Sequence, residues 1–174
     1  MTITGPIGLV DIGSNSVVLI VARPDPLGWQ VLERVKCSAR LGACIDRAGA
    51  LTPEGIKRLR TALSDFVARA RLWNARLRVT ATASLRNVSN GESIAAALGA
   101  DLGCTIDILS DADEATAAFV GVWDAEQQPD GSLVVVDVGG GSAEVGWGAC
   151  GAIQGWFSLP MGGVRLSTLQ AGAD

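Results

Sequence analysis

The sequence repeats one short pattern, at Asp11-Ile12-Gly13-Ser14-Asn15-Ser16 and again at Asp137-Val138-Gly139-Gly140-Gly141-Ser142. Each copy has an Asp, an apolar residue and a Gly, with a Ser five positions after the Asp. Each copy also follows one apolar, strand-like run and precedes another. A repeat of this kind indicates duplicated units. Here the unit is a hairpin with small residues at its tip and a carboxylate at its entrance.

The chemistry of the repeated turn favours phosphate. Turns made of small residues expose consecutive backbone N–H groups, and such concavities bind anions. The Asp would repel a bare phosphate, so a divalent cation between the two, Mg²⁺ or another, is expected. The sequence lacks the Gly-x-x-x-x-Gly-Lys-Ser/Thr motif and is therefore not a P-loop protein. A single Asp-x-Gly turn is usually an ordinary tight hairpin, but two matched copies favour a functional site.

Outside the repeat, the pattern of apolar residues predicts an α/β fold. Strands and helices follow in the order βββαβαβα, which requires a mixed sheet with helices on its faces. The first helix begins after Thr52, a typical N-cap before Pro53, and the last begins with a capping box at Ser110. The other predicted elements are the strands Ile7–Ile12, Ser16–Ala22, Trp29–Cys37, Leu77–Thr82 and Thr105–Leu109, and the helix Glu92–Asp101.

A run of turn-forming residues at positions 127–131 predicts a boundary between two lobes. Residues 1–126 are expected to form the first lobe and residues 127–174 the beginning of a second. The second part repeats the opening three strands at Ser132–Val138, Ala143–Ala149 and Ile153–Leu159. An apolar sheet needs a covering helix to be stable, so the second lobe is expected to be incomplete.

The amino-acid composition restricts which catalytic groups and metal sites are possible. Hydrophobic residues make up 48% of the 174 residues and charged residues 18%, which predicts a packed core. The sequence contains no His, which excludes Ser-His and Cys-His nucleophilic systems and His-ligated metals. Any general base is then a carboxylate, and any metal is a hard cation held by oxygens. The four cysteines lack metal-site spacing and are expected to be free thiols.

Charge and hydropathy restrict the partners and the compartment. The net charge of -4 argues against broad nucleic-acid binding. The apolar runs are too short to cross a bilayer and the N-terminus lacks the regions of a signal peptide, so a cytoplasmic protein without membrane contact is expected. Half of the 14 basic residues lie between Lys57 and Arg78, where they form either a solvated helix face or a guide surface for a polyanion.

Five blocks of sequence are specific when taken together and in this order: Asp11–Ser16, Ala81–Arg86 with Asn90, Leu109–Ala115, Asp137–Glu144 and Gly163–Leu166. Together they resemble the exopolyphosphatase/guanosine pentaphosphate phosphohydrolase family. That family belongs to the superfamily of actin, acetate kinase and sugar kinases, whose lobes are ribonuclease H-like. The resemblance extends over almost the whole chain.

The resemblance implies Mg²⁺-dependent hydrolysis of a terminal phosphoanhydride, from inorganic polyphosphate or guanosine pentaphosphate, in a cleft between two actin-like lobes. By motif position, Glu114 matches the catalytic glutamate that activates water, and Arg86 matches an arginine that grips phosphate oxygens. Asp11, Asp137 and Glu144 match the acidic residues around the metal. The implied phosphate contacts are Ser14, Asn15, Ser16, Asn90, Gly139, Gly140, Gly141 and Ser142.

Two of this chain's departures from the family pattern bear directly on its activity. Asp111 stands where the family often has Gly, and its charge is expected to weaken polyanion binding. Full-length relatives continue past position 174, which leaves the activity of the chain alone open. The alternative functions are a non-catalytic phosphate- or alarmone-binding fragment and an actin-like phosphotransferase or ATPase. The open partners are a second copy of the chain, as a homodimer, or a segment that completes the second lobe.

Overall fold

The computed structural model describes residues 4–26, 28–126, 131–164 and 166–167. It contains the helices α1 (Pro53–Leu72), α2 (Ala83–Arg86), α3 (Gly91–Leu102) and α4 (Asp111–Glu126). Its strands are β1 (Ile7–Ile12), β2 (Val17–Asp25), β3 (Gly28–Cys37), β4 (Arg76–Ala81), β5 (Ile106–Ile108), β6 (Ser132–Val138), β7 (Ala143–Ala149) and β8 (Ala152–Leu159). The α/β class predicted from the sequence is confirmed. Among these described helices, none is both long and apolar enough to cross a membrane.

The chain divides into two compact units, Met1–Ile108 and Leu109–Asp174. The sheet of the first unit has the order β3-β2-β1-β4-β5, with β1 antiparallel to β2 and parallel to β4. Val10 and Ile12 of β1 are buried on one face, whereas Leu9 and Asp11 on the other face are exposed. Asp11 therefore lies near the carboxyl end of a central strand, which is where open α/β sheets bind ligands.

Helix α1 covers the buried face of the first sheet. Its N-cap is Thr52, whose side-chain oxygen accepts a hydrogen bond from the Gly55 N–H at 3.3 Å. The buried side of the helix presents residues at helical spacing: Leu59, Ala62, Leu63, Phe66, Val67 and Ala70. A side chain at Gly8 of β1 would come within 3.4 Å of the Ala70 Cβ, so helix and strand approach closely at this point.

Helix α4 belongs to the second unit, where it packs on an antiparallel sheet of order β6-β7-β8. Ala115 and the fully buried Phe119 lie against Gly146 of β7. The compact units thus divide before α4, whereas the sequence placed the lobe boundary after residue 126. The difference arises because the apolar side of α4 is buried on the second sheet, a contact that the turn residues following the helix do not reveal.

The second sheet is exposed and apolar on the face opposite α4. Val136 and Val138 of β6 are 61% and 67% exposed, and Trp147 of β7 is 40% exposed. By their positions in the repeat, Val136 and Val138 correspond to Val10 and Ile12 of the first unit, which are 2% and 0% exposed. The two hairpins therefore share a sequence pattern but bury opposite faces.

The basic residues around α1 are largely engaged in ion pairs. Those pairs are Arg58–Glu54, Arg60–Asp101, Arg69–Glu33, Arg69–Asp65 and Arg78–Asp107. They neutralise much of the local positive charge. The structure therefore favours a solvated, ion-paired helix face over a guide surface for a polyanion.

A small network around Glu33 joins the edge strand β3 to the end of α1. The Trp73 Nε1–H donates to Glu33 Oε2 at 2.6 Å, and Arg69 Nη1 donates to Glu33 Oε1 at 2.7 Å. These two hydrogen bonds lower the pKa of Glu33 below its ordinary value, and the one from Trp73 has the larger effect. Burial acts in the opposite direction but is weaker. The ionised form of Glu33 thus stabilises the first unit.

We expect Glu33→Gln to lower the free energy of unfolding near neutral pH by about 1 kcal/mol, because it weakens two charge-assisted hydrogen bonds. The folded-state pKa is depressed, so this stabilisation is present above the unfolded-state pKa and is lost as the pH falls through the folded-state pKa. Urea denaturation at neutral and acidic pH should show the two proteins converging on acidification.

The control for this comparison is Glu54→Gln, which removes an exposed ion pair with Arg58 and should change stability little at either pH. A difference between Glu33→Gln and the parent that stays constant down to strongly acidic pH would contradict the role of the ionised carboxylate.

Candidate active site

The first repeat turn leads from β1 into β2 and is closed by a hydrogen bond from the Gly13 N–H to the Ser16 carbonyl oxygen at 3.0 Å. The Asn15 carbonyl oxygen accepts a hydrogen bond from the Arg40 N–H at 2.9 Å, which anchors the turn from outside. Ser14 is buried. The Ser16 hydroxyl oxygen is also buried and, within the described residues, has no hydrogen-bond partner. The backbone carbonyl groups hold the turn in place, and the Ser16 hydroxyl takes no part in this within the described residues.

The segment after β4 supports the first turn and carries Arg86. Ser84 donates its hydroxyl to the carbonyl oxygen of Ile12, just ahead of the turn. Arg86 is the last residue of α2 and is half-buried. Asn90 instead contacts Leu51: its Nδ2 donates to the Leu51 carbonyl oxygen at 3.0 Å and its Oδ1 accepts from the Leu51 N–H at 2.9 Å. Asn90 therefore links the start of α3 to Leu51, and its predicted contact with phosphate stays a prediction.

The second repeat turn, between β6 and β7, has the same closing hydrogen bond. The Gly139 N–H donates to the Ser142 carbonyl oxygen at 2.9 Å, and Ser142 is buried. The Gly139 carbonyl oxygen accepts from the Gly163 N–H at 3.0 Å, so the segment after β8 braces this turn. Arg165, in the last block of the resemblance, lies outside the described residues.

Three carboxylates converge in the second unit. Asp111 and Glu114 lie one helical turn apart at the start of α4, and Glu144 lies on β7. One oxygen from each lies within 4.8 Å of the other two. Glu144 is only 2% exposed, and Ser158 of β8 donates its hydroxyl to Glu144 Oε1 at 3.0 Å.

The predicted capping box fixes the start of α4. The Asp113 N–H donates to Ser110 Oγ at 3.1 Å, and the Ser110 N–H donates to Asp113 Oδ2 at 3.3 Å. Asp113 is therefore used for the cap. Asp111 and Glu114 instead belong to the group of carboxylates with Glu144.

The donor set of these carboxylates suits a hard divalent cation. Oxygen ligands from carboxylates are those that Mg²⁺ and similar cations bind. The residues present thus fit the cation that the sequence predicts, with Glu144 as an expected ligand and Asp111 as an additional one.

The other two acidic residues predicted at the metal are not members of this group of three. Asp137 is opposite Glu144 in the β6–β7 register, but it is exposed and does not belong to the group of three. Asp11 lies in the first unit, exposed near the end of β1. Sequence reasoning missed Ser158 entirely and treated Asp111 as a disturbance, because neither residue belongs to a recognisable local motif of metal ligands.

The sequence model of the Ppx/GppA phosphatase family matches residues 20–171 of this chain. Among solved structures, the chain is similar to an exopolyphosphatase from Cytophaga hutchinsonii, with 25% identity and a TM-score of 0.87 over 94% of this chain and 53% of that one. It is also similar to a Ppx/GppA family member from Aquifex aeolicus, with 25% identity and a TM-score of 0.83 over 96% and 54% of the two chains.

A more distant likeness concerns the fold alone. MreB5 of Spiroplasma citri, solved with ADP, matches with 14% identity and a TM-score of 0.50 over 92% of this chain and 53% of that one. These likenesses confirm the actin-like α/β fold predicted from the sequence. The chain spans about half the length of the solved structures that it matches.

Gly162 fits tightly against the second repeat turn. A Cβ at this position would lie 2.5 Å from the Gly140 carbonyl oxygen and 2.5 Å from the Gly141 nitrogen. Both are backbone atoms, so they cannot give way without a shift of the turn itself. Gly162 thus lets the segment after β8 approach the turn closely.

We expect Gly162→Ala to destabilise the second unit by about 1–3 kcal/mol, because the added methyl overpacks a buried position. The NMR amide signals of the turn should shift in this variant. Gly163→Ala is the matched control, since a Cβ at that position meets no atom within 4 Å. Equal effects of the two substitutions on unfolding and on the turn signals would contradict the tight contact at Gly162.

Proposed function

The chain belongs to the Ppx/GppA phosphatase family, and on that premise we propose that it hydrolyses the terminal phosphoanhydride bond of inorganic polyphosphate or of guanosine pentaphosphate. The observation that carries the proposal is the group formed by Asp111, Glu114 and Glu144. Hydrolysis of a phosphoanhydride needs a positioned base for water and compensation for charge on the phosphoryl oxygens. The carboxylates offer the base and the cation ligands, and the repeat turns offer the phosphate donors.

Glu114 is the proposed general base. It is half-buried in the first turn of α4, where the Ser110 capping box holds the helix start in place. A base on such a rigid element keeps its carboxylate at a fixed distance from a bound water, which contributes about 10²–10⁴-fold to the rate. Its match to the family's catalytic glutamate supports the same assignment.

Asp111 and Glu144 are the proposed ligands of the divalent cation, with Asp137, opposite Glu144 on β6, beside it. The role of Asp11 at the metal stays a prediction from the family resemblance. A bound cation would neutralise the carboxylates and withdraw charge from the phosphoryl oxygens. Asp111 then has a favourable role, because a carboxylate next to a cation no longer repels a polyanion. Mg²⁺ is the expected ion, given its preference for carboxylates together with substrate phosphates.

The phosphate contacts are proposed to come from both repeat turns and from Arg86. Ser14, Asn15 and Ser16 lie in the first turn, and the buried hydroxyl of Ser16 supports a ligand contact there. The second turn contributes Gly139, Gly140, Gly141 and Ser142. Arg86 would hold phosphate oxygens with its planar guanidinium, which suits bidentate contacts.

A second candidate is phosphate or alarmone binding without hydrolysis. It is motivated by the match to about half the length of the solved exopolyphosphatase. The turns and carboxylates described above serve binding as well as catalysis, so the two candidates differ in whether Glu114 assists a chemical step. The cytoplasm remains the expected compartment for either.

We expect the chain to release phosphate from long-chain polyphosphate with Mg²⁺, and Glu114→Gln to reduce the rate by about 10²–10⁴-fold, because the amide cannot accept the proton of water. Colorimetric phosphate release with and without a chelator measures both effects. Asp124→Asn, an exposed carboxylate near the other end of α4, is the control and should leave the rate unchanged.

Equal rates for the parent and Glu114→Gln would contradict the base assignment. Polyphosphate binding without release by the folded parent would instead favour the second candidate.

We expect Arg86→Lys to raise the KM for polyphosphate by about tenfold, because Lys keeps the charge but loses the fork that contacts two oxygens. Steady-state kinetics on the variant tests this contact. Arg78→Lys changes an exposed arginine that pairs with Asp107 and should behave as the parent does. An unchanged KM in Arg86→Lys would remove Arg86 from the phosphate contacts.

A further inference from the structure

The hydroxyl of Ser158 contacts the most deeply buried carboxylate of the candidate site. It donates to Glu144 Oε1 at 3.0 Å, and Glu144 is only 2% exposed. Ser158 lies directly opposite Glu144 in the β7–β8 register, and Asp137 lies opposite it in the β6–β7 register. Directly opposed residues of antiparallel strands share a face of the sheet, so all three lie on the face that α4 covers.

We propose that Ser158 is a positioning residue that orients the Glu144 carboxylate for cation binding. This inference rests on the proposed function, since it requires a divalent cation held by Asp111 and Glu144. A carboxylate with one oxygen held by a fixed donor loses rotational freedom and keeps its remaining oxygen for the ion. Side chains that hydrogen-bond to a metal ligand without contacting the metal orient that ligand. Their removal typically weakens metal binding by about 10–100-fold.

The geometry of the group gives the hydroxyl a specific task. One carboxylate oxygen each from Asp111, Glu114 and Glu144 lies within 4.8 Å of the other two. The hydrogen bond from Ser158 to Glu144 Oε1 fixes how the Glu144 carboxylate is turned within this group.

The pairing of β7 with β8 does not depend on Ser158. On the opposite face, Trp147 lies against Gly155, where a Cβ would come within 2.5 Å of the indole Cε2 atom. Trp147 also contacts Phe157, with the two ring centroids 6.2 Å apart. This aromatic packing and the strand hydrogen bonds hold β8 in register, so removal of the hydroxyl should leave the sheet intact.

The test compares Ser158→Thr with Ser158→Val in the 174-residue chain. Thr and Val have nearly the same shape, and Thr alone keeps the hydroxyl donor. Mn²⁺ serves as the probe, with its dissociation constant measured by electron paramagnetic resonance in the absence of substrate. Unfolding in the presence of a chelator measures the stability of each metal-free protein. Ser132→Val, at an exposed position of β6, is the control for a serine lost elsewhere in the sheet.

We expect Ser158→Val to weaken Mn²⁺ binding by about tenfold, while Ser158→Thr and Ser132→Val bind as the parent does. Equal Mn²⁺ affinities of the Thr and Val variants would overturn the inference, even if their metal-free stabilities differ. Glu144→Gln separates this failure from failure of the proposed site. If Glu144→Gln abolishes Mn²⁺ binding, the carboxylate site stands without Ser158. If it leaves Mn²⁺ binding unchanged, the proposed cation site and the inference both fail.

Discussion

The burial of the Glu144 carboxylate constrains how the second unit is built. An ionised carboxylate removed from water carries a penalty of several kcal/mol unless it gains partners. The hydroxyl of Ser158 supplies one such partner, and Asp111 and Glu114 each bring a carboxylate oxygen within 4.8 Å of Glu144. A cation bound by Asp111 and Glu144 would supply a further partner, and ion binding would then be coupled to the folding of this unit.

The two copies of the internal repeat share one closing hydrogen bond but are contacted by different segments of the chain. Both turns close with an N–H donated by the Gly after the apolar residue to the carbonyl oxygen three residues later. The first turn is anchored by Arg40 and the second by Gly163, so two unrelated segments perform the same task. The conserved geometry suits an anion site, because carbonyl groups held in this way leave small-residue backbone N–H groups for ligands.

The covering of the two hairpins also differs. Helix α1 packs on the face that carries Val10 and Ile12, whereas α4 packs on the face that carries Glu144 and Gly146. This choice of face brings the start of α4 over the carboxylate of β7. It also leaves Val136 and Val138 exposed on the other side. The same strand pattern therefore supports a core in one unit and a charged site in the other.

The sequence alone determined the order of the strands and of the three longer helices, the capped helix starts and the repeated turns, because apolar periodicity, Thr52, Ser110 and the Asp-x-Gly pattern act over a few residues. It did not predict the short helix α2. Through a family resemblance it also predicted Glu114 and Glu144 as site residues. Only the tertiary structure showed that Asp111 joins them, that Asn90 is occupied by Leu51, and that Ser158 contacts Glu144. These contacts depend on helix docking and cross-strand register, which bring together residues far apart in the chain, and no local pattern encodes which serine lies opposite a given carboxylate.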